Sequence, residues 1–253
     1  MSFLGSLFSG KPKEPDYPVV YDFSSVGIDI HSHLIPGIDD GVRTIEESVE
    51  MIRNFSSLGF KKLITTPHIM SDYFKNTPEI ILEGLELVRA AVKKEGINIT
   101  IDAAAEYYLD ENFLRKVKNK EMLYIGDKYL LFEISYINPP DNLLGVIFEI
   151  NVNDYKPLLA HPERYNYWSS KLDEYKRIKE TGVLFQLNIN SLTGYYGIAS
   201  KKTAEWLIDE NMVDFIGSDL HGARHMESLH KVINEKYFRK LMAQGVMNNS
   251  LIS

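Results

Sequence analysis

Between Val26 and Gly217 one pattern recurs seven times: a short β-branched or apolar run, then a longer stretch with apolar residues at helical spacing. The runs are Val26–Ile30, Lys62–Thr66, Ile97–Ala103, Tyr129–Ile134, Lys156–Ala160, Val183–Leu187 and Asp214–Gly217. Strands that alternate with helices lie parallel, with the helices packed outside the sheet. The helices are bounded by recognisable signals. Thr44 with Glu47 forms a capping box, and Thr77-Pro78 sets a cap ahead of a proline at the first helical position. Gly59, Gly96 and Gly182 each follow a helical run, where a left-handed residue is wanted. Seven such units in 253 residues suit closure better than an open sheet, so the expected fold is α/β, a distorted (β/α)7 TIM-like barrel.

Residues 19–253 are expected to form this barrel as a single domain, preceded by an arm and linker over residues 1–18. The arm carries Phe3, Leu4, Leu7 and Phe8 and then the Pro-rich charged stretch from Gly10 to Pro18; it either docks elsewhere or is a frayed terminus. No basic residue precedes its apolar part, which is shorter than a signal-peptide core, and no apolar run approaches the roughly 18 residues of a membrane span. The expected protein is cytoplasmic and not an integral membrane protein, with its oligomeric state left open.

Barrel enzymes assemble their sites from the C-terminal ends of the strands. The first run leads into His31-Ser32-His33, whose i, i+2 spacing lets both imidazoles address one metal. The second leads to Thr66-Pro67-His68, the third to Glu106, the fourth ends at Glu133, the fifth leads to Ala160-His161-Pro162, and the seventh to Ser218-Asp219-Leu220-His221. The sixth is followed by Asn188 and Asn190, which can hydrogen-bond a substrate but carry no charge. Taken singly, His68 or His161 reads more readily as a packed histidine. Glu106 behind three alanines and Glu133 among Leu130, Leu131, Phe132 and Ile134 say more, because a carboxylate there is costly to desolvate unless it meets a metal or a salt-bridge partner. Independent packing residues would have no reason to collect at one end of nearly every strand.

Composition removes rival chemistries. With no cysteine, thiolate catalysis and Cys-ligated metal sites are excluded, a cysteine-based phosphatase among them. A net charge of −7 supplies no pull toward phosphate backbones, so a nucleic-acid partner is not expected. Histidine and carboxylate ligands without thiolate suit Mn²⁺, Fe or Zn²⁺, and the carboxylate share tilts toward Mn²⁺.

His31-Ser32-His33, Pro36-Gly37-Ile38-Asp39-Asp40-Gly41, Thr66-Pro67-His68, Ala105-Glu106, Phe132-Glu133, Ala160-His161-Pro162-Glu163-Arg164-Tyr165 and Gly217-Ser218-Asp219-Leu220-His221 together resemble the polymerase and histidinol phosphatase (PHP) superfamily. The closer resemblance is to its bacterial capsule and exopolysaccharide protein-tyrosine phosphatases, and it extends from about Gly27 to His221. It implies the PHP fold and a metal-dependent phosphatase with three divalent ions, commonly Mn²⁺, with Fe or Zn²⁺ as alternatives. It also implies a ligand set: His31, His33, Glu106 and Asp219 on the first ion, Glu106 bridging to a second completed by Glu133 and His161, and Asp40, His68 and His221 on the third. Clustered cations clamp phosphoryl oxygens and lower the pKa of a bound water, which makes hydroxide the nucleophile.

Arg164 can reach a phosphoryl oxygen with its planar fork, or pair with Glu163. Arg224, three residues after His221, is a second candidate for catalysis and substrate binding, although the family's second arginine lies a little further on; Asn188 is a candidate substrate contact. His225 either touches the site or caps a helix. A phenolate leaves more easily than an alkoxide, so Asp219 or a water would suffice as acid. Tyr107, Tyr108, Tyr136, Tyr165, Tyr167 and Trp168 follow strand ends and either flank a phosphotyrosine or pack. The expected substrate is phosphotyrosine on a protein, the resemblance pointing to a bacterial tyrosine kinase that controls capsule or exopolysaccharide synthesis. The alternatives are a small-molecule phosphatase of the histidinol-phosphate type, phosphodiester cleavage in DNA repair, and a non-catalytic metal-binding regulator.

Overall fold

Local signals set the helix boundaries. Thr44 Oγ1 accepts from the Glu47 N–H at 3.3 Å and opens α1 (Ile45–Ser57); Thr77 Oγ1 accepts from Ile80 N–H at 3.4 Å and opens α2 (Pro78–Lys94). Each helix lays one apolar stripe inward, such as Met51, Ile52 and Phe55 of α1 and Ile81, Leu85, Val88 and Val92 of α2. The computed structural model describes residues 17–251, so the expected arm falls outside the described residues except for Tyr17 and Pro18.

The strands are β1 (Ile28–Asp29), β2 (Lys62–Thr65), β3 (His68–Ile69), β4 (Thr100–Ala103), β5 (Glu106–Tyr108), β6 (Tyr129–Glu133), β7 (Lys156–Ala160), β8 (Leu184–Asn188) and β9 (Phe215–Gly217). The remaining helices are α3 (Phe113–Asn119), α4 (Leu143–Val152), α5 (Asp173–Lys179), α6 (Ile198–Asp209), α7 (Ala223–Val232) and α8 (Lys236–Gln244). All strand pairs are parallel, in the orders β1-β2-β4 and β3-β5-β6-β7-β8-β9. Seven runs become nine strands among the described residues because the second and third are each followed, after a two-residue step, by a further short strand outside the expected run, β3 and β5. Pro67 has no N–H for a ladder, and the chain steps in the same way across Thr66-Pro67 and across Ala104-Ala105. Backbone bonds carry the pairing over the break: Ala104 N–H to Thr65 O at 2.9 Å and Glu106 N–H to Pro67 O at 3.2 Å. The ring closes beyond β1 and β9, where Asp219 N–H donates to His31 O at 2.8 Å and His33 N–H to Leu220 O at 2.9 Å, with a parallel bridge between Ser32 and Leu220. The expected distorted barrel is the observed one.

Inside the ring the lower layers are apolar: Ile28, Ile30, Ile64, Ala104, Leu131, Leu158, Ala160 and Phe215. After α8 the chain returns beneath the barrel. Asn248 accepts from Ile216 N–H at 2.9 Å and donates to Ile28 O at 3.1 Å, and Leu251 joins the interior cluster. Beside Leu251, where β4 and β6 do not pair, a cleft of about 730 Å³ opens, lined in part by Lys62, Arg89, Asp102 and Tyr129. The lower interior is thus filled mainly with hydrocarbon, with Asn248 bonded beneath it, while the histidine and carboxylate candidates gather at the other end. Among the described residues no helix is long and apolar enough to cross a membrane.

Candidate metal centre

His31 and His33 follow β1 on extended backbone, and partners behind each ring fix which nitrogen faces the barrel mouth. Gln186 donates through Nε2 to Leu187 O at 2.8 Å, so its Oε1 must accept, and it takes the His31 Nδ1–H at 2.7 Å. Asp39 Oδ2 takes the His33 Nδ1–H at 2.8 Å. Both Nε2 lone pairs therefore turn inward, 3.4 Å apart. His31 Nε2 lies 3.0 Å from Glu106 Oε2 and 3.3 Å from Asp219 Oδ1, and His33 Nε2 lies 3.4 Å from each. Four acceptor atoms facing one another repel unless a proton or a cation sits between them. This buried donor set, two imidazoles and two carboxylates, fits a divalent ion of borderline hardness.

The other candidates extend the cluster. His68 Nδ1 is 3.3 Å from Glu106 Oε2 and 3.8 Å from Glu133 Oε1, while its Nε2 is 3.5 Å from Asp40 Oδ1. His221 Nε2 stands 3.3 Å from the same Asp40 oxygen. His161 Nε2 lies 2.9 Å from Glu106 Oε1 and 3.8 Å from Glu133 Oε2. Ligand atoms within 4.8 Å of one another fall into three overlapping groups: His31, His33, Glu106 and Asp219; His33, Asp40, His68 and His221; His68, Glu106 and Glu133. All nine expected ligands meet at one mouth. His161 and Asp219 reach it from left-handed backbone, φ 33° and 48°, a conformation costing about 1–3 kcal/mol that turns both side chains inward as the strands end.

Without cations the negative charge is held by protons. Burial alone would depress the His31 imidazole, but Glu106 and Asp219 hold it up at about 9. Burial and the Glu106 and Asp219 charges push Glu133 well above the usual carboxylate range. Glu106 resists burial and stays well below that range, because His31 and His68 stabilise its ionised form. Burial and Arg164 lower His161 to about 4. Metal binding at such a site releases protons. Asp219 is held well below its usual range against burial by His31 and His221.

Arg164 sits in the 3-10 turn Pro162–Arg164 after β7 and donates from Nη1 to Asp219 Oδ2 at 2.6 Å. Its guanidinium lies 4.1 Å from the Tyr196 ring centroid and 4.9 Å from that of Tyr136. Asn188 accepts from Asn190 N–H through Oδ1 at 2.9 Å, which leaves its amide nitrogen to donate to Asp219 Oδ2 and to the Tyr196 hydroxyl, both at 3.0 Å. Arg224 stands apart. Helix α7 begins at Ala223, and its first turn carries Arg224 into solvent with no hydrogen bond or ion pair to the cluster, while His225 turns inward and accepts from the His221 N–H at 3.0 Å.

Of the aromatic candidates, Tyr107, Tyr165 and Trp168 are buried packing residues: the Tyr107 hydroxyl accepts from Leu123 N–H, and that of Tyr165 donates to Ala160 O. Tyr167 donates to Ser135 O, and Tyr108 is partly buried on β5. Tyr136 borders the site, donating to Glu133 Oε2 at 3.2 Å and stacking on His161. Sequence reasoning missed Asp39, Gln186 and Tyr196. Asp39 adjoins Asp40 in the same block, and Gln186 lies two residues before Asn188 on the same face of β8, so both left a trace. Tyr196 arrives through the loop after the 3-10 turn Ile189–Thr193 and left none.

A parallel barrel with histidine and carboxylate donors converging at its C-terminal mouth is the architecture of a metal-dependent hydrolase. The family model described as capsular polysaccharide synthesis, CpsB/CapC, matches residues 27–252, and the chain belongs to that family. Among its relatives, tyrosine-protein phosphatase YwqE of Bacillus subtilis (strain 168) is 27% identical over 230 residues, covering 89% of this chain and 91% of the relative. Tyrosine-protein phosphatase CpsB of Streptococcus pneumoniae is 25% identical over 232 residues, covering 88% and 96%. A solved structure from work on YwqE of B. subtilis and CpsB of S. pneumoniae, described as metal-dependent tyrosine phosphatases, superposes with a TM-score of 0.78 at 24% identity, covering 89% of this chain and 94% of the other. The lactonase Lmo2620 of Listeria monocytogenes shares the fold at a TM-score of 0.51 and 12% identity.

Proposed function

We propose that this chain is a cytoplasmic, metal-dependent protein-tyrosine phosphatase whose physiological substrate is a bacterial tyrosine kinase controlling capsule or exopolysaccharide synthesis. The observation that carries the activity is the convergence of eight imidazole and carboxylate donors in three overlapping groups, joined by His161 against Glu106, on one mouth with the Arg164 guanidinium beside them. Membership of the CpsB/CapC family and relatives named tyrosine-protein phosphatases support the substrate class.

Three divalent ions, Mn²⁺ first among the candidates, would be held by His31, His33, Glu106 and Asp219, by Glu106, Glu133 and His161, and by Asp40, His68 and His221. Such ions, when bound, neutralise phosphoryl charge and make a water acidic enough to attack at neutral pH. The chain's own residues prepare that chemistry. Gln186 and Asp39 fix the tautomers of His31 and His33, so that their free lone pairs face the mouth. Arg164 anchors one nitrogen on Asp219, and its remaining N–H groups are donors for phosphoryl oxygens. The rings of Tyr136 and Tyr196 keep its guanidinium plane from rotating away.

The test is turnover of a phosphotyrosine peptide, a phosphoserine peptide and histidinol phosphate by the purified protein, before and after chelation and on return of Mn²⁺. Elemental analysis is run on the same samples. Phosphotyrosine hydrolysis that is lost with the metal and restored by it is expected. Equal or faster hydrolysis of histidinol phosphate would reassign the substrate, and bound metal without turnover of any ester would leave a regulatory protein.

A further inference from the structure

The Tyr196 hydroxyl has both lone pairs engaged. On one side the Asn188 amide nitrogen, whose orientation is set by the Asn190 N–H on the carbonyl end of the same side chain, donates to it at 3.0 Å. On the other side stands His225 Nε2 at 3.3 Å. His225 Nδ1 accepts from the His221 backbone N–H at 3.0 Å, so it carries no proton, and the ring's single N–H is on Nε2, directed at Tyr196. With two donors arriving, the tyrosine oxygen can only give its own hydrogen elsewhere. Among the described residues no acceptor receives it. Tyr196 is partly exposed, and its ring lies under Arg164 at the rim of the mouth.

The placement says what this hydrogen meets. Asn188 bridges Tyr196 to Asp219, so the hydroxyl stands one residue away from a carboxylate of the donor cluster, on a side chain that itself reaches solvent in part. A phosphoryl group carried on a polypeptide approaches from solvent, with its phosphorus toward the donors and its ester oxygen outermost. We propose that the Tyr196 O–H donates a hydrogen bond to the ester oxygen of the substrate phosphotyrosine and stabilises the negative charge that grows there as the phosphorus–oxygen bond breaks. This rests on the phosphatase reading above. In the balanced step a water oxygen bonds to phosphorus and the ester P–O bond breaks, its electron pair staying on the phenol oxygen. The proton lost by the water reaches that oxygen through solvent, giving tyrosine and inorganic phosphate. Tyr196 keeps its proton throughout, and Asn188 and His225 act as positioning residues by filling its lone pairs.

The hydrogen bond matters most where the departing oxygen bears most charge and is most basic. Tyr196→Phe removes the hydroxyl and retains the ring beneath Arg164. The measurement compares kcat/KM of the metal-loaded wild type and variant over a series of aryl phosphates of graded phenol pKa, from p-nitrophenyl phosphate to phenyl phosphate and a phosphotyrosine peptide. Metal content and melting temperature are measured in parallel. The expected result is a loss of about tenfold or more for the peptide and phenyl phosphate, less than about threefold for p-nitrophenyl phosphate, and unchanged metal content. A uniform loss across the series, or none, would overturn the proposal. Failure of the wild type to hydrolyse any member would instead overturn the phosphatase reading.

Discussion

The Asp39 carboxylate is buried and accepts from His33 Nδ1–H at 2.8 Å, His68 N–H at 3.1 Å and Gly41 N–H at 3.0 Å. In Asp39→Asn one oxygen becomes an amide nitrogen. The two donors on Oδ2 outnumber the one on Oδ1, so the new nitrogen turns toward Gly41 and the remaining oxygen still accepts from His33. That contact falls from a charge-assisted bond worth about 1.5–3 kcal/mol to a neutral one worth about 0.5–1.5 kcal/mol. The difference, about 1–1.5 kcal/mol, corresponds to roughly tenfold weaker metal binding through His33, the lower end of the tenfold to hundredfold range seen when such an outer partner is lost. In Asp39→Ala the His33 proton has no acceptor and can move to Nε2, where it blocks the ligand; the loss then approaches about a hundredfold. The Gly41 N–H, orphaned in both variants, weakens the fold as well, so metal affinity and melting temperature must be read separately. The assay is Mn²⁺ competition against a fluorescent chelator, with elemental analysis of each protein. Unchanged affinity in Asp39→Ala would refute the argument that Asp39 sets the His33 tautomer for a metal.

Chelation should lower the melting temperature, because the site's ligand atoms repel one another without cations. At a metal concentration of 100 Kd the linkage is worth about 2.7 kcal/mol, or about 5–10 °C for a chain of this length; a melting curve indifferent to chelator would contradict it. A Cβ on Gly217 would stand 2.5 Å from His31 Cβ and 2.8 Å from Gln186 Nε2. Gly217→Ala is therefore expected to cost about 1–3 kcal/mol in urea unfolding and to weaken metal binding through a displaced His31, and wild-type values for both would show that β9 and His31 do not approach so closely. Leu251→Ala removes a side chain from the floor of the barrel and should cost about 2 kcal/mol or more in urea unfolding with metal affinity unchanged; a cost below about 0.5 kcal/mol would mean that the C-terminal return does not seal the interior.

Local chemistry in the sequence determined a good deal by itself. The alternation of strand-like and helical runs set parallel pairing, and the caps at Thr44 and Thr77 set where α1 and α2 begin, since a side-chain oxygen and a free N–H three residues on are neighbours in any context. Most ligand candidates were legible because they stand at or just beyond the end of a strand-like run and those ends share one mouth, whereas Asp40, in the loop after β1, was legible only through the resemblance of its block. Other features needed three dimensions. The short strands β3 and β5, which resume pairing beyond Pro67 and Ala105, depend on neighbours that step together, and neither run signals the other's continuation. Arg224 and His225 are adjacent and equally plausible in sequence, and only the start of α7 at Ala223 sends one into solvent and the other toward His221. Tyr196 and Gln186 acquire roles from atoms brought to them by distant segments: a hydrogen bond depends on positions in space, and only the closed barrel supplies those.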